Sequence, residues 1–375
     1  MPLRIGVNAL YLIPGKVGGT EIYLRNVLHA LASIDPANHY FIFRNKETGD
    51  DLTPRAANFQ DRPLPVSGEN RAARILYEQL IFPSALRKNN IEVLFNAGFT
   101  APLLWPGPMV TVFHDLQYKR HPEYFRWFDL PFWQTLLPAS ARRSRKIVVP
   151  SEAVKADIAE FYPFALARTQ VIPHGVEAAF GQIAATRQPQ RFILTVSTLH
   201  PHKNLDGLLR AFAVFIRRHP DWRLVIAGLK GFEAGRIEAL QKELGLQDAV
   251  DIKGWIPRPE LYELFRTAAA FVYPSRFEGF GIPVLEAMTA GLPVACSRIP
   301  ALVEVAGEAV RFFDPANAQD LVAALEDITE NEDLRNQLRA AGLARARDFS
   351  WEKSARLLQK ALNASARTKP RPEHH

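Results

Sequence analysis

Short apolar runs of strand type alternate with longer helical patterns along almost the whole chain, and this alternation limits the fold more than any other feature of the sequence. Strands that alternate with helices are typical of a parallel sheet covered by helices on both faces. In the first half of the chain the strand-type runs are residues 3–8, 40–43, 93–95, 109–113, 147–149 and 170–172. The helical patterns between them cover residues 20–33, 71–88, 125–143 and 151–161.

The alternation stops once and then starts again. Residues 177–190 lose the periodicity and collect Gly, Gln, Thr and Pro, so we interpret them as a linker. Strand-type runs return at residues 192–197, 223–227, 250–253, 270–273, 293–296 and 310–313. Helical patterns return at residues 205–218, 235–244, 260–268, 284–290, 318–330 and 333–348. We therefore predict an α/β protein with two doubly wound domains, residues 1–180 and 181–348, followed by a C-terminal helix at 349–366 and a tail at 367–375.

The composition is ordinary for a soluble protein with two sizeable cores, since 47% of the 375 residues are hydrophobic and 23% are charged. The single cysteine, Cys296, excludes an internal disulfide and a multi-cysteine metal site, and its apolar neighbours predict a buried, inert thiol. The sequence shows no secretory leader and no apolar stretch that is long enough to span a bilayer. We therefore expect a cytoplasmic protein, either free or peripheral on the inner face of the plasma membrane.

The net charge of +7 favours anionic partners such as sugar-nucleotide phosphates and anionic lipids. Nucleic acid is the weakest of these partners, because no recognised binding motif accompanies the charge, and we expect none. One stretch, residues 119–146, carries seven basic and two acidic residues interleaved with aromatic ones. Such a helix either lies on anionic headgroups or packs its aromatic side chains on the core with a solvated basic face.

The stretch SRFEGFGIPVLEAMTAG, residues 275–291, combines acidic residues with a glycine-rich turn. It follows an apolar run of strand type, and Pro283 suits the first positions of a helix. The glycines let backbone N–H groups face a ligand, and the start of a helix adds partial positive charge at the same place. Glu278 lies in the loop and Glu286 in about the first helical turn, so both carboxylates could face one cleft that holds a sugar nucleotide. The alternative is that Glu286 only favours the helix start and Glu278 is solvated.

Glu278 and Glu286 are spaced as E-x7-E with Gly-Phe-Gly inside, and this pattern resembles the retaining, metal-independent glycosyltransferases of family 4. The resemblance covers nearly the whole chain and is strongest in the second half. It implies the GT-B fold, in which two facing Rossmann-like domains enclose a cleft and the C-terminal helix packs back on the N-terminal domain. The stretches VTVFHDLQYKRHPEYF and VIPHGV look most like bacterial mannosyltransferases of surface-polysaccharide assembly. GDP-mannose is therefore the expected donor, with a carbohydrate or lipid-linked saccharide as acceptor.

The resemblance also implies a role for each matching residue. Glu286 would bind the ribose hydroxyls, and Glu278 would face the transferred sugar. Lys203, in the stretch LHPHKN, would contact the donor diphosphate, although a solvated lysine is the simpler interpretation of this residue alone. His202 stands where the family commonly has an arginine, which would hold phosphate better. The donor-binding loop would add the backbone of Gly279, Phe280, Gly281 and Ile282.

Two places in the first domain also match the family. Gly18 and Gly19 precede a helix, and the resemblance implies that their backbone approaches the donor's phosphate or sugar; a plain loop is the alternative. They do not complete a G-x-G-x-x-G pattern, which counts against a nicotinamide enzyme. His114 follows an apolar strand, and the resemblance places it against the donor sugar's hydroxyls, whereas a structural histidine is the alternative. Asp115 would orient the imidazole or cap the following turn.

Neither H-E-x-x-H nor a D-x-D cluster is present, so we expect no metal and no other cofactor. The positive charge facing a diphosphate must then come from Lys203 and helix dipoles. A hydrolase with a nucleophilic serine is disfavoured, because the chain lacks G-x-S-x-G. Two alternatives to a transferase remain open: a GT-B epimerase acting on the sugar nucleotide itself, and a non-catalytic protein that binds nucleotide sugars or glycans.

Overall fold

The computed structural model describes residues 2–229, 231 and 233–367, and they form two compact units. The first unit comprises residues 2–174 and 351–367, and the second comprises Gly175–Ser350. Most of the predicted tail, residues 368–375, lies outside the described residues. The predicted linker is wrong in one respect, because residues 177–190 include a helix, Ala178–Ala185, whose Phe180 and Ile183 are buried.

The first unit is a seven-stranded parallel sheet with helices between the strands. Its strands are β1 (Arg4–Ala9), β2 (His39–Arg44), β3 (Phe59–Pro63), β4 (Val93–Asn96), β5 (Met109–Val112), β6 (Lys146–Val149) and β7 (Thr169–Val171), in the sheet order β3-β2-β1-β4-β5-β6-β7. Its helices before residue 174 are α1 (Gly19–Ile34), α2 (Arg71–Leu80), α3 (Phe82–Lys88), α4 (Gln117–Arg120), α5 (Leu130–Arg143) and α6 (Glu152–Phe161).

Three predictions for this unit need correction. The edge strand β3 was not predicted, because its sequence FQDRP has one large apolar residue and no alternation. The single helix predicted at 71–88 is two helices that meet at Ile81, since Pro83 favours a new helix start. The helix predicted from residue 125 begins at Leu130, where Pro131 occupies an early helical position.

The second unit is a six-stranded parallel sheet. Its strands are β8 (Gln190–Val196), β9 (Arg223–Ala227), β10 (Val250–Gly254), β11 (Ala268–Tyr273), β12 (Val294–Ser297) and β13 (Arg311–Phe313). Its helices are α7 (Ala178–Ala185), α8 (Leu205–Phe215), α9 (Ala234–Glu243), α10 (Arg258–Thr267), α11 (Ile282–Thr289), α12 (Pro300–Ala306), α13 (Ala318–Glu330) and α14 (Glu332–Ala346). All six strands were predicted to within a few residues, and α7 and α12 were not predicted.

The strand order of the second unit is β10-β9-β8-β11-β12-β13. The chain adds β9 and β10 on one side of β8 and then adds β11, β12 and β13 on the other side, so the order of the strands reverses between β8 and β11. These two strands pair in parallel, with Leu194 opposite Phe271. Both are buried and apolar, as a central parallel strand requires. In open sheets of this kind, ligands bind beyond the carboxyl ends of the strands at such a reversal. The loops that leave β8 and β11 are therefore the first place to look for a ligand site.

The last helix, α15 (Trp351–Arg367), packs against α1 in the first unit. One face of α15 buries Trp351, Leu358 and Leu362 in the same core as Leu24 and Val27 of α1. Burying each leucine contributes about 1.5–3 kcal/mol of hydrophobic free energy. The chain thus returns to its first unit after completing the second.

Candidate functional site

The loops that leave β8 and β11 bring Lys203 and Glu278 into contact. Lys203 ends a single 3₁₀ turn, and Asn204 in the left-handed conformation then starts α8. The Lys203 Nζ lies 2.5 Å from Glu278 Oε1 and donates to the Tyr273 hydroxyl at 3.0 Å. The main-chain N–H of Arg276 donates to the carbonyl of His202 at 2.7 Å, which ties the two loops together. A cation and an anion are thus held at the strand reversal.

The surroundings of Lys203 keep its ammonium charged. The Lys203 and Glu278 side chains are 13% and 12% exposed. Burial by itself lowers the pKa of Lys203, but Glu278 and Tyr273 together raise it by more, so the ammonium stays protonated. Burial, and then Glu278, raise the pKa of Tyr273, which stays a neutral phenol. Glu278 therefore serves as the counter-ion of a largely buried lysine.

The loop before α11 forms a tight turn over the first residues of that helix. Gly281 has φ of +102°, a conformation that side chains rarely adopt, and a Cβ there would lie 2.4 Å from Leu302 Cδ2. Phe280 and Ile282 have buried side chains, and the Phe280 ring contacts Phe349 edge to face. These two residues can therefore offer a ligand mainly their backbone. At the start of α11, Pro283 has no N–H and the N–H groups of Val284 and Leu285 donate to the Gly281 carbonyl, so the N–H of Ile282 and the positive end of the helix dipole are what the helix start offers an anion.

Glu286 lies one turn deeper than the sequence suggested, in the second turn of α11, and is 3% exposed. Its Oε1 lies 3.4 Å from Arg258 Nη2 of α10. The same nitrogen of Arg258 bonds to Glu177 at short range, and the Tyr262 hydroxyl donates to Glu177 at 2.5 Å. Burial raises the pKa of Glu286, Arg258 partly offsets this and Glu177 adds to it, so that the resulting pKa is about 7. This carboxyl therefore titrates near neutral pH.

His202, which stands at the position of the family's arginine, lies beside His200, with ring centroids 5.8 Å apart. Burial lowers the pKa of His200, and the charge of Lys203 lowers it further. The segment thus presents imidazole rings and one ammonium where the family pattern has a guanidinium and an ammonium.

In the first unit, His114 follows β5 and is buried. Its Nε2 donates to the Ala97 carbonyl at 2.8 Å, so Nδ1 of the neutral ring is an acceptor. Burial lowers the pKa of His114 to about 4, and the bond to Ala97 offsets this only in part. The rings of Tyr23 and His174 pack against it, with centroids at 5.0 and 5.7 Å. The imidazole is therefore neutral at pH 7.

The remaining predicted residues of the first unit lie at turns. Gly18 precedes α1 with φ of +59°, and a Cβ there would meet no atom within 4 Å. Gly19 is the first residue of α1, one position before the predicted start. Asp115 Oδ1 accepts the N–H of Gln117 at 2.9 Å, so this side chain caps the turn into α4.

Sequence reasoning missed three residues of the second unit that contact the predicted ones. Tyr273 could have been found, because it ends the apolar run of β11 with a polar atom. Arg258 and Glu177 could not, because no spacing rule connects them to Glu286, which lies 28 residues from Arg258. Within the described residues, no group of three or more His, Cys, Asp or Glu side chains could hold a metal ion. Metal independence stays a prediction.

Two family models match the chain, one to each half. The model described as Glycosyltransferase Family 4 matches residues 17–180, and the model described as Glycosyl transferases group 1 matches residues 179–345. The O-antigen chain mannosyltransferase B of Escherichia coli is 29% identical over 254 residues, 65% of this chain and 67% of that protein. The MMP alpha-(1->4)-mannosyltransferase of Mycolicibacterium hassiacum is 30% identical over 323 residues, 81% of this chain and 75% of that protein.

The fold is also similar to solved structures. Sucrose-phosphate synthase from Thermosynechococcus elongatus has a TM-score of 0.79 at 20% identity, covering 96% of this chain and 98% of that one. This likeness confirms the predicted fold class of two Rossmann-like domains, and the relatives confirm the resemblance seen in the sequence. The chain belongs to the family 4 (group 1) glycosyltransferases and is a sugar-transferring enzyme with the GT-B fold.

Proposed function

We propose that the protein transfers a mannosyl residue from GDP-mannose to a saccharide or lipid-linked saccharide, with retention of the anomeric configuration. The observation that carries this proposal is the contact between Lys203 and Glu278 at the strand reversal of the second unit. The names of the mannosyltransferase relatives support mannose as the sugar.

Lys203 and the start of α11 would hold the donor diphosphate. An ammonium and the start of a helix stabilise negative charge as it develops on the departing diphosphate. Glu278 forms an ion pair with Lys203 at 2.5 Å. A diphosphate would take over this role, and the released Glu278 carboxylate could then accept a hydroxyl of the transferred sugar. The backbone of Gly279 and Gly281 completes the loop around the phosphates.

Glu286 would bind the ribose through its carboxylate, which accepts from hydroxyl groups. This role requires the ionised form, and Arg258 favours ionisation against the effect of burial. His114 would accept a sugar hydroxyl through Nδ1, since its Nε2 is bonded to Ala97. Gly18 and Gly19 would let the backbone approach the donor.

The proposed reaction needs no covalent nucleophile and no metal. The bond between the anomeric carbon and the diphosphate oxygen breaks, and the leaving GDP keeps the electron pair. A bond from the acceptor oxygen to the same carbon forms on the same face of the sugar. The departing phosphate takes the proton of the acceptor hydroxyl, so atoms and charge balance.

The test is incubation of the full chain with GDP-mannose and a mannose-ended lipid-linked acceptor, with UDP-glucose as the comparison donor. The expected products are an α-mannoside and one GDP for each sugar transferred, identified by NMR of the anomeric proton. Turnover of UDP-glucose alone, or a β-linked product, would contradict the proposal. Conversion of the donor without acceptor would indicate an epimerase, and binding without release of GDP would indicate a non-catalytic protein.

We further propose that the segment before α5 contacts anionic lipid. In residues 119–146, Phe125 and Trp133 pack on the core, as one of the two interpretations expected. In contrast, Trp127 and Phe128 are 82% and 55% exposed, beside Arg126. Exposed aromatic rings next to a cation suit a membrane surface. No helix within the described residues is long and apolar enough to cross a bilayer.

Vesicle sedimentation tests this contact. Vesicles of phosphatidylglycerol should carry the wild-type protein down, whereas phosphatidylcholine vesicles should carry much less. The double change Trp127→Ala and Phe128→Ala should reduce sedimentation, whereas Phe164→Ala, an exposed ring elsewhere in the same unit, should not. Equal sedimentation of all three proteins would contradict the proposal.

A further inference from the structure

Three arginines surround the turn that follows α11 in the second unit. Arg187 lies between α7 and β8, and Arg335 and Arg339 lie one turn apart on α14. Arg339 Nε donates to the carbonyl of Gly291 at 3.2 Å. The Cδ of Arg187 lies 3.8 Å from the position that a Cβ on Gly291 would occupy. Two separate segments thus bring guanidinium groups to this turn, and Arg335, one turn before Arg339 on α14, is close enough to interact electrostatically with Arg187.

Several donors of these guanidinium groups lack an acceptor. Arg187 Nη2 donates to the Ala268 carbonyl at 2.7 Å, but its Nε and Nη1 are shielded from solvent and have no partner among the described residues. Arg335 Nη1 donates to the Thr329 carbonyl at 3.2 Å, while its Nε is also shielded and unpartnered. Buried donors without acceptors are rare in folded proteins, because each has lost its water without a replacement.

The charges are also unpaired. Within the described part of the chain, no carboxylate forms an ion pair with Arg187, Arg335 or Arg339. Burial, followed by repulsion from the charges of Arg339 and Arg335, lowers the pKa of Arg187 to about 10. Arg187 and Arg335 are half-buried with nitrogens shielded from solvent, and shielded charges are normally paired, so this cluster lacks an anion.

We propose that Arg187, Arg335 and Arg339 bind a phosphate-class oxyanion. Phosphate oxygens accept hydrogen bonds from guanidinium groups, and Nε and Nη1 of Arg187 and Nε of Arg335 are shielded donors that lack an acceptor. Arg339 is exposed, which leaves a route for the anion from solvent. The cluster lies at the amino ends of β11 and β12, next to Ala268 and Gly291, and so at the opposite edge of the sheet from Lys203 and Glu278. It is a second anion site, separate from the one proposed for the donor.

A purely structural explanation accounts for part of the cluster. The guanidinium of Arg339, a residue of α14, contacts the C-terminal end of α11 through the Gly291 carbonyl, and the helix dipole favours a cation there. That explanation covers the bond from Arg339 to Gly291, but it leaves the shielded donors of Arg187 and Arg335 without acceptors. An oxyanion satisfies both, and it also neutralises the repulsion among the three charges.

The experiment measures thermal unfolding of the full chain in sodium phosphate and in sodium chloride of equal ionic strength. A ligand that binds only the folded state raises Tm. Phosphate should raise the Tm of the wild type above its value in chloride. It should also raise the Tm of Lys203→Met and of the control variant Arg218→Met, which removes an exposed arginine paired with Glu326. Arg187→Met should lose the phosphate-specific rise.

The same variant separates a binding role from a structural one. If the anion is the missing partner, Arg187→Met removes an unpaired buried charge, so its Tm in chloride should equal or exceed that of the wild type. Arg335→Met should weaken the apparent phosphate affinity by at least about tenfold, as expected for lost hydrogen bonds to a charged group. Equal Tm of the wild type in phosphate and chloride would overturn the proposal. So would a phosphate response that persists in Arg187→Met but disappears in Lys203→Met.

Free phosphate and a lipid headgroup offer the same chemistry, and a second arm distinguishes them. If the anion is free phosphate, Arg187→Met and the wild type should sediment equally with phosphatidylglycerol vesicles. If it is a headgroup, Arg187→Met should sediment less than Arg218→Met, and vesicles should raise the Tm of the wild type. Both sources require the phosphate-specific rise in the Tm of the wild type, and its absence refutes the proposal.

Discussion

Replacing Arg258 by methionine should weaken donor binding through its effect on the ionisation of Glu286. With a pKa of about 7, half of the Glu286 carboxyl groups are ionised at pH 7. An opposite charge at this range lowers a carboxyl pKa by about 1–3 units. Loss of Arg258 should therefore raise the pKa of Glu286 and leave about a tenth or less of the carboxyl groups ionised at pH 7.

The expected loss of donor affinity follows from that fraction. In the wild type half of the enzyme carries the ionised Glu286 that binds the donor, whereas in Arg258→Met a tenth or less does. The loss of affinity has an upper limit, because a protonated carboxyl loses at most the charge-assisted part of its hydrogen bonds, about 1.5–3 kcal/mol. We therefore expect the KM for the donor to rise by about 5- to 100-fold at pH 7. The assay is a donor titration at pH 6, 7, 8 and 9 with the acceptor held constant.

The pH dependence is the test of the reasoning. The deficit of Arg258→Met should shrink towards pH 9, because the carboxyl ionises there even without Arg258. Glu286→Gln should show a deficit that pH does not rescue. The control Arg266→Met, an arginine of the same helix paired with Glu263, should behave as the wild type. An unchanged KM in Arg258→Met at pH 7, or a deficit of equal size at pH 7 and pH 9, would refute the account.

Stability should show the opposite pH trend. The pKa of Glu286 in the folded protein, about 7, exceeds its ordinary value of 4.5, so the folded state binds this proton more tightly. The stabilisation is fully present below about pH 4.5 and is lost as the pH rises through about 7, a change of about 3 kcal/mol in the free energy of unfolding. In Glu286→Gln, urea denaturation should show a correspondingly smaller decrease across this window.

Three further predictions concern the loops that leave β8 and β11. Lys203→Met should lower kcat by about 10²–10³-fold, the usual cost of removing one group that stabilises developing charge. Steady-state turnover at saturating donor measures kcat, and an unchanged kcat would contradict this prediction. Gly281→Ala should lower the free energy of unfolding, measured by urea titration, by at least about 1–2 kcal/mol, because alanine is strained at φ of +102° and its Cβ meets Leu302. The control Gly181→Ala within α7 adds a Cβ that meets no atom within 4 Å, so it should be neutral or stabilising in the same titration. EDTA should leave the initial rate unchanged, since the diphosphate charge is met by Lys203 and N–H groups, and a loss of activity restored by Mg²⁺ would disprove metal independence.

The second unit was more predictable than the first, and the reason lies in burial. Strands β11 and β12 are buried along their whole length, and β11, Ala268–Tyr273, is a continuous apolar run, so hydrophobicity alone marks it. The edge strand β3 has only one paired neighbour and carries polar residues, so its sequence resembles a loop. The helix α7 was missed because AAFGQIAA is short and contains glycine, and its Phe180 packs against Phe265 with ring centroids 5.0 Å apart, a contact that no local pattern shows.

The candidate site was predictable where residues are close in sequence and not where they meet through the fold. The order strand, glycine loop and helix places Glu278 before α11 and Glu286 within it, and local rules describe both. The pairing of Glu286 with Arg258 depends on how α10 packs, which no local rule gives. The arginine cluster at Gly291 is of the same kind, since Arg187 and Arg339 lie 152 positions apart in the sequence.

The most direct test of the central claim is calorimetric titration with GDP and with GMP. In the proposed complex, Lys203 is released from Glu278 and binds the donor's diphosphate at the start of α11. The wild type should therefore bind GDP more tightly than GMP, and Lys203→Met should lose most of that preference. Equal affinity for GDP and GMP in the wild type, or an undiminished preference in Lys203→Met, would contradict the account.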